Sequence, residues 1–247
     1  MTSSAKRSPT ASRSLPRHRQ LLVSCEHGGN RVPARYVHLF AGAAGALDSH
    51  RGLDYGALDV ARAFGRRLGV TPFTATTTRL VVDLNRSSYH RNVFSEYTGV
   101  LTRGERAAAM AAHYWPYRNA VEAAVDHAVA EGRAVLHVSS HSFTPVLHGE
   151  VRHCDIGFLY DPAGSSEVRF IDAWYDAVRA AAPELVLRRN YPYRGTSDAL
   201  VTHLRRRHGE KAYAGIELEV NQKHVGSRGW RTLVSMLATT LATVVRA

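Results

Sequence analysis

Cysteine is almost missing from this chain of 247 residues: only Cys25 and Cys154 occur, far apart and in no C-x-x-C pair. That excludes a disulfide framework and argues against a thiolate metal site. No uncharged apolar run approaches the ~18 residues a membrane-crossing helix needs, and the first 20 residues lack the apolar centre of a secretion signal. The sequence therefore leads us to expect an intracellular, cytoplasmic protein without a membrane span. Acid is scarce as well, with 21 Asp+Glu against 32 Lys+Arg and a net charge of +11. Residues 1–20 hold Lys6, Arg7, Arg13, Arg17 and Arg19 and no acid. No aromatic residue is interleaved with them, as a stacking platform for single-stranded nucleic acid requires. A disordered, solvated basic segment over 1–20 is expected, a transit peptide being the other reading. Gly and Pro usage is ordinary, and 45% hydrophobic residues suffice for a core, so one domain is expected over 21–247.

Short apolar runs alternate with helical periodicity through that domain. Leu21–Cys25 reads as a buried strand opening into the Gly-rich loop Glu26-His27-Gly28-Gly29-Asn30. Residues 53–68 place Leu53, Ala57, Val60, Ala61, Phe64 and Leu68 on one helical face. Strands are expected at Val70–Thr77, Leu80–Leu84, Val135–Ser139, Ile156–Tyr160 and Ala214–Val220. Helices are expected over 104–132, divided by Pro116, and over 167–182, 198–208 and 228–245. This order implies an α/β/α sandwich around an at least partly parallel sheet.

Ligands of such sheets gather outside the carboxyl ends of the strands. Four polar clusters fall there: Glu26-His27, Asp83 to Arg86, His137 to Phe143, and Glu217 to Asn221. Any one of fourteen histidines at a strand end is most simply a hydrogen-bonded structural residue. Several strands delivering His, Asp, Glu and Arg to one edge is what a metal hydrolase uses. Zinc takes three His or carboxylate ligands and keeps one position open, a carboxylate moves protons, and a guanidinium grips a substrate carboxylate in two-pronged fashion. Ser142 beside His141 invites a nucleophile reading, but no G-x-S-x-G elbow occurs.

The string Glu26 to Pro33 (EHGGNRVP), then His50 to Ala57, Thr78 to Arg86 (TRLVVDLNR), His141 to Pro145 (HSFTP), Asp155 to Tyr160, Asn190 to Tyr193 and Ile216-Glu217-Leu218 closely resembles the N-formylglutamate amidohydrolase family. That family is related to the zinc carboxypeptidases and aspartoacylases. The resemblance implies their three-layer fold with a mixed, largely parallel sheet (zinc-carboxypeptidase-like, phosphorylase/hydrolase-like). It also implies Zn2+, or another divalent metal, and cleavage of N-formyl-L-glutamate or a similar N-acyl amino acid, with histidine catabolism as the usual context. His27 and His141 match metal ligands of the relatives. Their carboxylate ligand, three residues after the first histidine, is replaced here by Asn30, which with Ser142 is expected beside the site as a supporting residue. Asp54 is the favoured substitute, its other reading being a helix-end residue. Glu26 is a rival, although adjacent strand residues face opposite ways unless the strand has ended.

By the same resemblance, Glu217 matches the catalytic glutamate, and Asn85 with Arg86 the pair that grips the substrate carboxylate. Arg79 adds a second charge or pairs with an acid, and Tyr193 and His203 match positions near the pocket. His50 is a candidate partner of Asp54. Glu219 shares the face of Glu217 by two-residue alternation and reads more simply as a surface or Arg-paired carboxylate. Arg118 stands where the family often has His. Two other readings stay open. One is a nucleic-acid-binding module using the basic tail and Arg205-Arg206-Arg207, which also reads as a solvated helix face. The other is a family member without activity. Oligomeric state is not legible.

Overall fold

The computed structural model describes residues 19–246, so the expectation for the basic segment lies outside the described residues except at its end. There, Arg19 and Gln20 belong to the first strand, β1 (Arg19–Cys25), which starts two residues before the expected domain boundary. The chain continues through a 3-10 turn at Ala34–Phe40, α1 (Ala44–Leu47), α2 (Ala57–Leu68), β2 (Phe73–Thr74) and α3 (Arg103–Ala109). A single π turn, Met110–Tyr114, leads into α4 (Trp115–Ala130), with Pro116 in its first turn. Then come β3 (Ala134–Phe143), the hairpin β4 (Val146–Leu147) and β5 (Glu150–Val151), β6 (Ile156–Leu159), α5 (Ser165–Ala181) and β7 (Leu187–Arg189). The fold closes with α6 (Leu200–His208), β8 (Tyr213–Asn221) and α7 (Trp230–Arg246).

Six strands form one sheet in the order β2-β1-β3-β8-β6-β7. All neighbours run parallel except β6 against β8. This is the expected mixed, largely parallel sheet with helices on both sides. The central strands β3 and β8 are almost wholly buried on both faces, but the two faces differ chemically. Val23, Cys25, Leu136, Val138, Ile216 and Leu218 alternate onto one side, in the core that also holds Phe64 of α2, Trp174 of α5 and Leu237 of α7. Residues of register on the other side are Leu22, His137 and Gly215, then Ser24, Ser139 and Glu217, then His141 and Glu219. Near the strand starts, α4 and α6 cover this side with Val121, Val125, Leu200 and Leu204. Toward the strand ends it turns polar and opens into a cavity.

The predicted helix face of α2 is largely confirmed, with Ala57, Val60, Ala61 and Phe64 fully buried. Leu80–Leu84 is not a strand. It is a buried turn whose apolar side chains join Tyr36, Phe40 and Tyr114 in a second core, so its hydrophobicity reports burial and not sheet pairing. Val70–Thr77 contributes only the two residues of β2. Conversely, β3 runs four residues past the expected end and carries His141 and Ser142 within the sheet. The Gly-rich loop after β1 lies flat against residues 75–77: Gly28 N donates to Ala75 O at 3.0 Å, and a Cβ on Gly29 would fall 2.7 Å from Thr76 O. Glycine is required there because the two backbones touch.

Candidate active site

His27 leaves the loop as soon as β1 has ended, and its backbone oxygen accepts from Asp54 N at 2.9 Å, which brings the start of α2 to the site. The Asp54 side chain does not cap α2. The N-cap is Gly56, in left-handed conformation and with no side-chain bond, while Asp54 turns inward. Its Oδ2 lies 2.9 Å from His141 Nδ1 and 3.4 Å from His27 Nδ1. One ligand atom from each of these three buried residues falls within 4.8 Å of the others.

The far nitrogen of each imidazole is also occupied. His27 Nε2 is 2.7 Å from Asp83 Oδ1. His141 Nε2 is 2.9 Å from Ser139 Oγ and 3.2 Å from Glu26 Oε2, and Ser139 itself donates to Glu26 at 2.6 Å. Tyr117 donates to the other Glu26 oxygen at 2.9 Å. Glu26 and His27 thus do not diverge: the strand stops at Cys25, and both side chains reach His141 or its partner carboxylate. Each histidine donates outward to a carboxylate and presents Nδ1 to Asp54, the arrangement that fixes tautomer and ring plane in metal-ligating histidines.

The charges favour a cation at this point. Burial opposes ionisation of Asp54, but the charge of His27, hydrogen bonds from both histidines and the charge of Arg79 outweigh it, and its carboxyl lies far below the usual range. Asp83 is likewise held well below that range, burial being outweighed by Arg79 and His27. Glu26 is held low by His141 and Ser139 against its burial. Arg79 donates to Asp83 at 2.8 Å and to Asp54 at 3.3 Å, so it answers one of three ionised carboxylates. A divalent ion would answer the other two with both imidazoles neutral. Without it the proton rests on His141, whose pKa lies well above normal because Asp54 and Glu26 outweigh its burial. Two imidazole nitrogens and one carboxylate oxygen form a donor set that suits zinc.

Above this floor lies a cavity of about 160 Å³, walled by His50, Arg79, Asn85, Arg86, Ser142, Tyr193, Arg194, Glu217 and Glu219 among others. Glu217 Oε1 accepts from Asn85 Nδ2 at 2.9 Å and stands 3.6 Å from His141 Nε2. Asn85 Oδ1 accepts from Leu200 N at 2.8 Å, so this side chain joins the start of α6 to Glu217. Among the described residues Arg86 donates only to the backbone oxygen of Asp198, at 3.3 Å, leaving most of its guanidinium to the cavity.

Several expected site residues land elsewhere. Asn30 faces Leu47 O and Asp48, outside the cavity, and the carboxylate that lies beside both histidines is that of Asp54. His203 lies on α6 at 3.3 Å from Glu122 of α4, away from the cavity. His50 lines the wall but makes no hydrogen bond to Asp54 among the described residues. Ser142 accepts from Gln222 at 3.1 Å and serves as wall. Arg118 is buried and donates to Leu84 O at 3.3 Å, supporting the turn that carries Asp83 and Asn85. The Arg run on α6 is not a free basic face: Arg205 pairs with Glu167 at 2.8 Å and Arg207 with Asp126 at 2.7 Å.

Sequence reasoning missed or misread three participants. Asp83 stood inside a flagged cluster without a role. Ser139 lies two residues from His141, where strand alternation could have found it, and Glu219 was placed by that alternation but given the wrong surroundings. Glu219 is neither a surface nor an Arg-paired carboxylate. It is 5% exposed, its Oε2 has no hydrogen-bond partner among the described residues, and burial pushes its pKa up to about 8.

With this geometry in place, comparison with known proteins is decisive on one point. The family model of N-formylglutamate amidohydrolase matches residues 19–225. The chain belongs to that family. Among solved structures, it resembles the gene product Atu2144 of Agrobacterium tumefaciens with a TM-score of 0.74 and 29% identity, over 91% of this chain and 89% of that one. It resembles the N-formylglutamate amidohydrolase of Ralstonia eutropha JMP134 with a TM-score of 0.70 over 95% and 94% of the two chains. At 18% identity, the latter likeness shows the shared fold alone. No curated protein matches the sequence. Among the described residues, no helix is long and apolar enough to cross a membrane.

Proposed function

We propose that this family member is a zinc-dependent amidohydrolase that cleaves N-formyl-L-glutamate, or a closely similar N-acyl amino acid, to formate and the free amino acid. The observation that carries this reading is the convergence of His27, Asp54 and His141 beneath a cavity that also holds Glu217 and the half-buried Arg86. His27 and His141, through Nδ1, and Asp54 would hold the metal. A bound zinc supplies Lewis acidity toward the amide carbonyl and eases deprotonation of water at neutral pH.

The remaining chemistry belongs to side chains. Asn85 holds Glu217 by Oε1, so Oε2 is the oxygen that takes a proton from the attacking water. As the new C–O bond forms and the C–N bond breaks, the same oxygen returns that proton to the departing nitrogen, giving a carboxylic acid and an amine. Asp83 and Glu26 keep the imidazoles in the required tautomer and move no proton. Arg86 receives a substrate carboxylate by a forked pair that lysine cannot reproduce. Asp54 beside both histidines supports activity despite the departure at Asn30. The pairing of Arg205 and Arg207 with acids argues against a free basic face on α6 of the kind nucleic-acid binding would use.

The test is formate release from a panel of N-formyl and N-acetyl amino acids by zinc-loaded protein. Activity should be highest on N-formyl-L-glutamate and fall by about a hundredfold or more in Glu217→Gln. Full activity in Glu217→Gln, or no turnover of any member, would overturn the reading.

A further inference from the structure

Besides Arg86, one other guanidinium on the cavity wall stands without an acidic partner. Arg79 is neutralised by Asp54 and Asp83. Arg86 and Arg194 both line the cavity, and neither has an acidic side chain within 4.0 Å among the described residues. Asp198, which also lines the cavity, has its carboxylate committed to Ser87, accepting from its backbone N at 2.9 Å and from its hydroxyl. Two unanswered cations at the wall of a small cavity call for two anions from the ligand.

The segment carrying Arg194 is built to hold it in place. It is tied at Asn190, whose Oδ1 accepts from Tyr160 N at 3.1 Å and Gly195 N at 3.0 Å. Gly195 sits so close to β6 that a Cβ would fall 2.1 Å from Tyr160 N. Its oxygen accepts from Arg205 Nη1 at 3.1 Å, and Arg205 is itself fixed by Glu167. Ser197 O accepts from Thr202 at 2.7 Å. The backbone around Arg194 is therefore clamped on both sides, whereas its side chain is exposed and makes no hydrogen bond to a described residue. A fixed backbone under an uncommitted charge suits a ligand contact, since little ordering entropy remains to be lost on binding. The neighbouring Tyr193 is occupied differently: Arg152 stacks on its ring at 5.1 Å and donates to its hydroxyl at 3.2 Å.

We infer that Arg194 is a second carboxylate anchor, acting with Arg86 so that the cavity selects N-acyl amino acids bearing two carboxylates. This rests on the amidohydrolase reading above. One anchor takes the α-carboxylate and the other the side-chain carboxylate, and a substrate with only one leaves a guanidinium unanswered.

The experiment compares wild type, Arg86→Ala, Arg194→Ala and Arg194→Lys on three substrates. These are N-formyl-L-glutamate, N-formyl-L-glutamine, which lacks the side-chain carboxylate, and N-formyl-γ-aminobutyrate, which lacks the α-carboxylate. Arg194→Ala should raise KM for the diacid about tenfold or more, with kcat and melting temperature unchanged. It should do the same for one monoacid and spare the other, and Arg86→Ala should show the opposite choice. Arg194→Lys should recover only part of the loss. An equal effect of Arg194→Ala on all three substrates, or less than a threefold effect on the diacid, overturns the inference. If wild type cleaves none of them, the amidohydrolase reading has failed, and the anchor is judged by calorimetry with glutarate and butyrate. Preference for the dianion, lost in Arg194→Ala, then supports it, and equal binding of the two overturns it.

Discussion

Replacing Asp83 by Asn probes the site without emptying it. Every neighbour of this carboxylate is a donor: Oδ1 faces His27 Nε2 at 2.7 Å and Asn85 N at 3.0 Å, and Oδ2 accepts from Arg79 at 2.8 Å. An amide of the same shape must point its NH2 at one pair of donors. If it faces His27, the imidazole is driven to the tautomer that carries its proton on Nδ1, the nitrogen aimed at Asp54. If it faces Arg79, the guanidinium keeps only Asp54, at 3.3 Å, and draws that carboxylate away from the histidines. Either way one ligand is compromised and none is removed. Loss of such a supporting carboxylate costs about 10- to 100-fold in metal affinity, or about 1.4–2.8 kcal/mol. Competition for zinc against a chromophoric chelator should show this loss in Asp83→Asn, with stoichiometry still one per chain, and a larger loss in His27→Ala. Glu26→Gln should resemble Asp83→Asn, since Glu26 supports His141 in the same way. Zinc affinity of Asp83→Asn within twofold of wild type, beside a large loss in His27→Ala, would refute the proposed support of the imidazoles.

Glu217→Gln should lower kcat by about 10²- to 10⁴-fold while zinc content is retained; metal analysis beside formate release checks both halves. Arg86→Ala should raise KM for N-formyl-L-glutamate by ~30-fold or more at unchanged zinc content, with Arg86→Lys recovering little; a lower melting temperature with normal kinetics would instead mark Arg86 as a structural brace for Asp198. Acid should destabilise the fold through His137, which burial lowers to about 4 while Ser24 and Tyr213 hold it at 2.7 and 2.6 Å. The unfolded chain binds the extra proton, so the stability this group contributes is complete above its unfolded value near 6.5 and is lost as pH falls toward 4. The loss comes to about 3 kcal/mol, and urea melts of wild type and His137→Gln from pH 7 to 4 should differ in slope over that window.

What the sequence revealed depended on the length and symmetry of each signal. Strands β1, β3, β6 and β8 carry apolar runs long enough to be recognised, and the helices show a clear apolar face. β7 and the β4–β5 hairpin are two or three residues long and offer no periodicity to read. Leu80–Leu84 misled because a turn folded into a second core is as apolar as a strand. At the site, the residues of the candidate metal cluster came from family resemblance. The role of Asp83 behind His27 did not, because nothing in the chain states that the two meet across 56 positions. Asn30 and His203 were misplaced for the opposite reason: proximity in a motif does not fix the direction of a side chain on a loop or helix face.

The central claim is that His27, Asp54 and His141 hold one divalent ion. Dialysed wild type and Asp54→Ala, titrated with zinc against a competing chromophoric chelator at pH 7.5, test it most directly. Wild type should bind one tight equivalent and release about one proton on doing so, since the metal displaces the proton resting on His141. Asp54→Ala, folded by circular dichroism, should lose that equivalent. Absence of a tight equivalent in wild type, or its persistence unchanged in Asp54→Ala, would contradict the account.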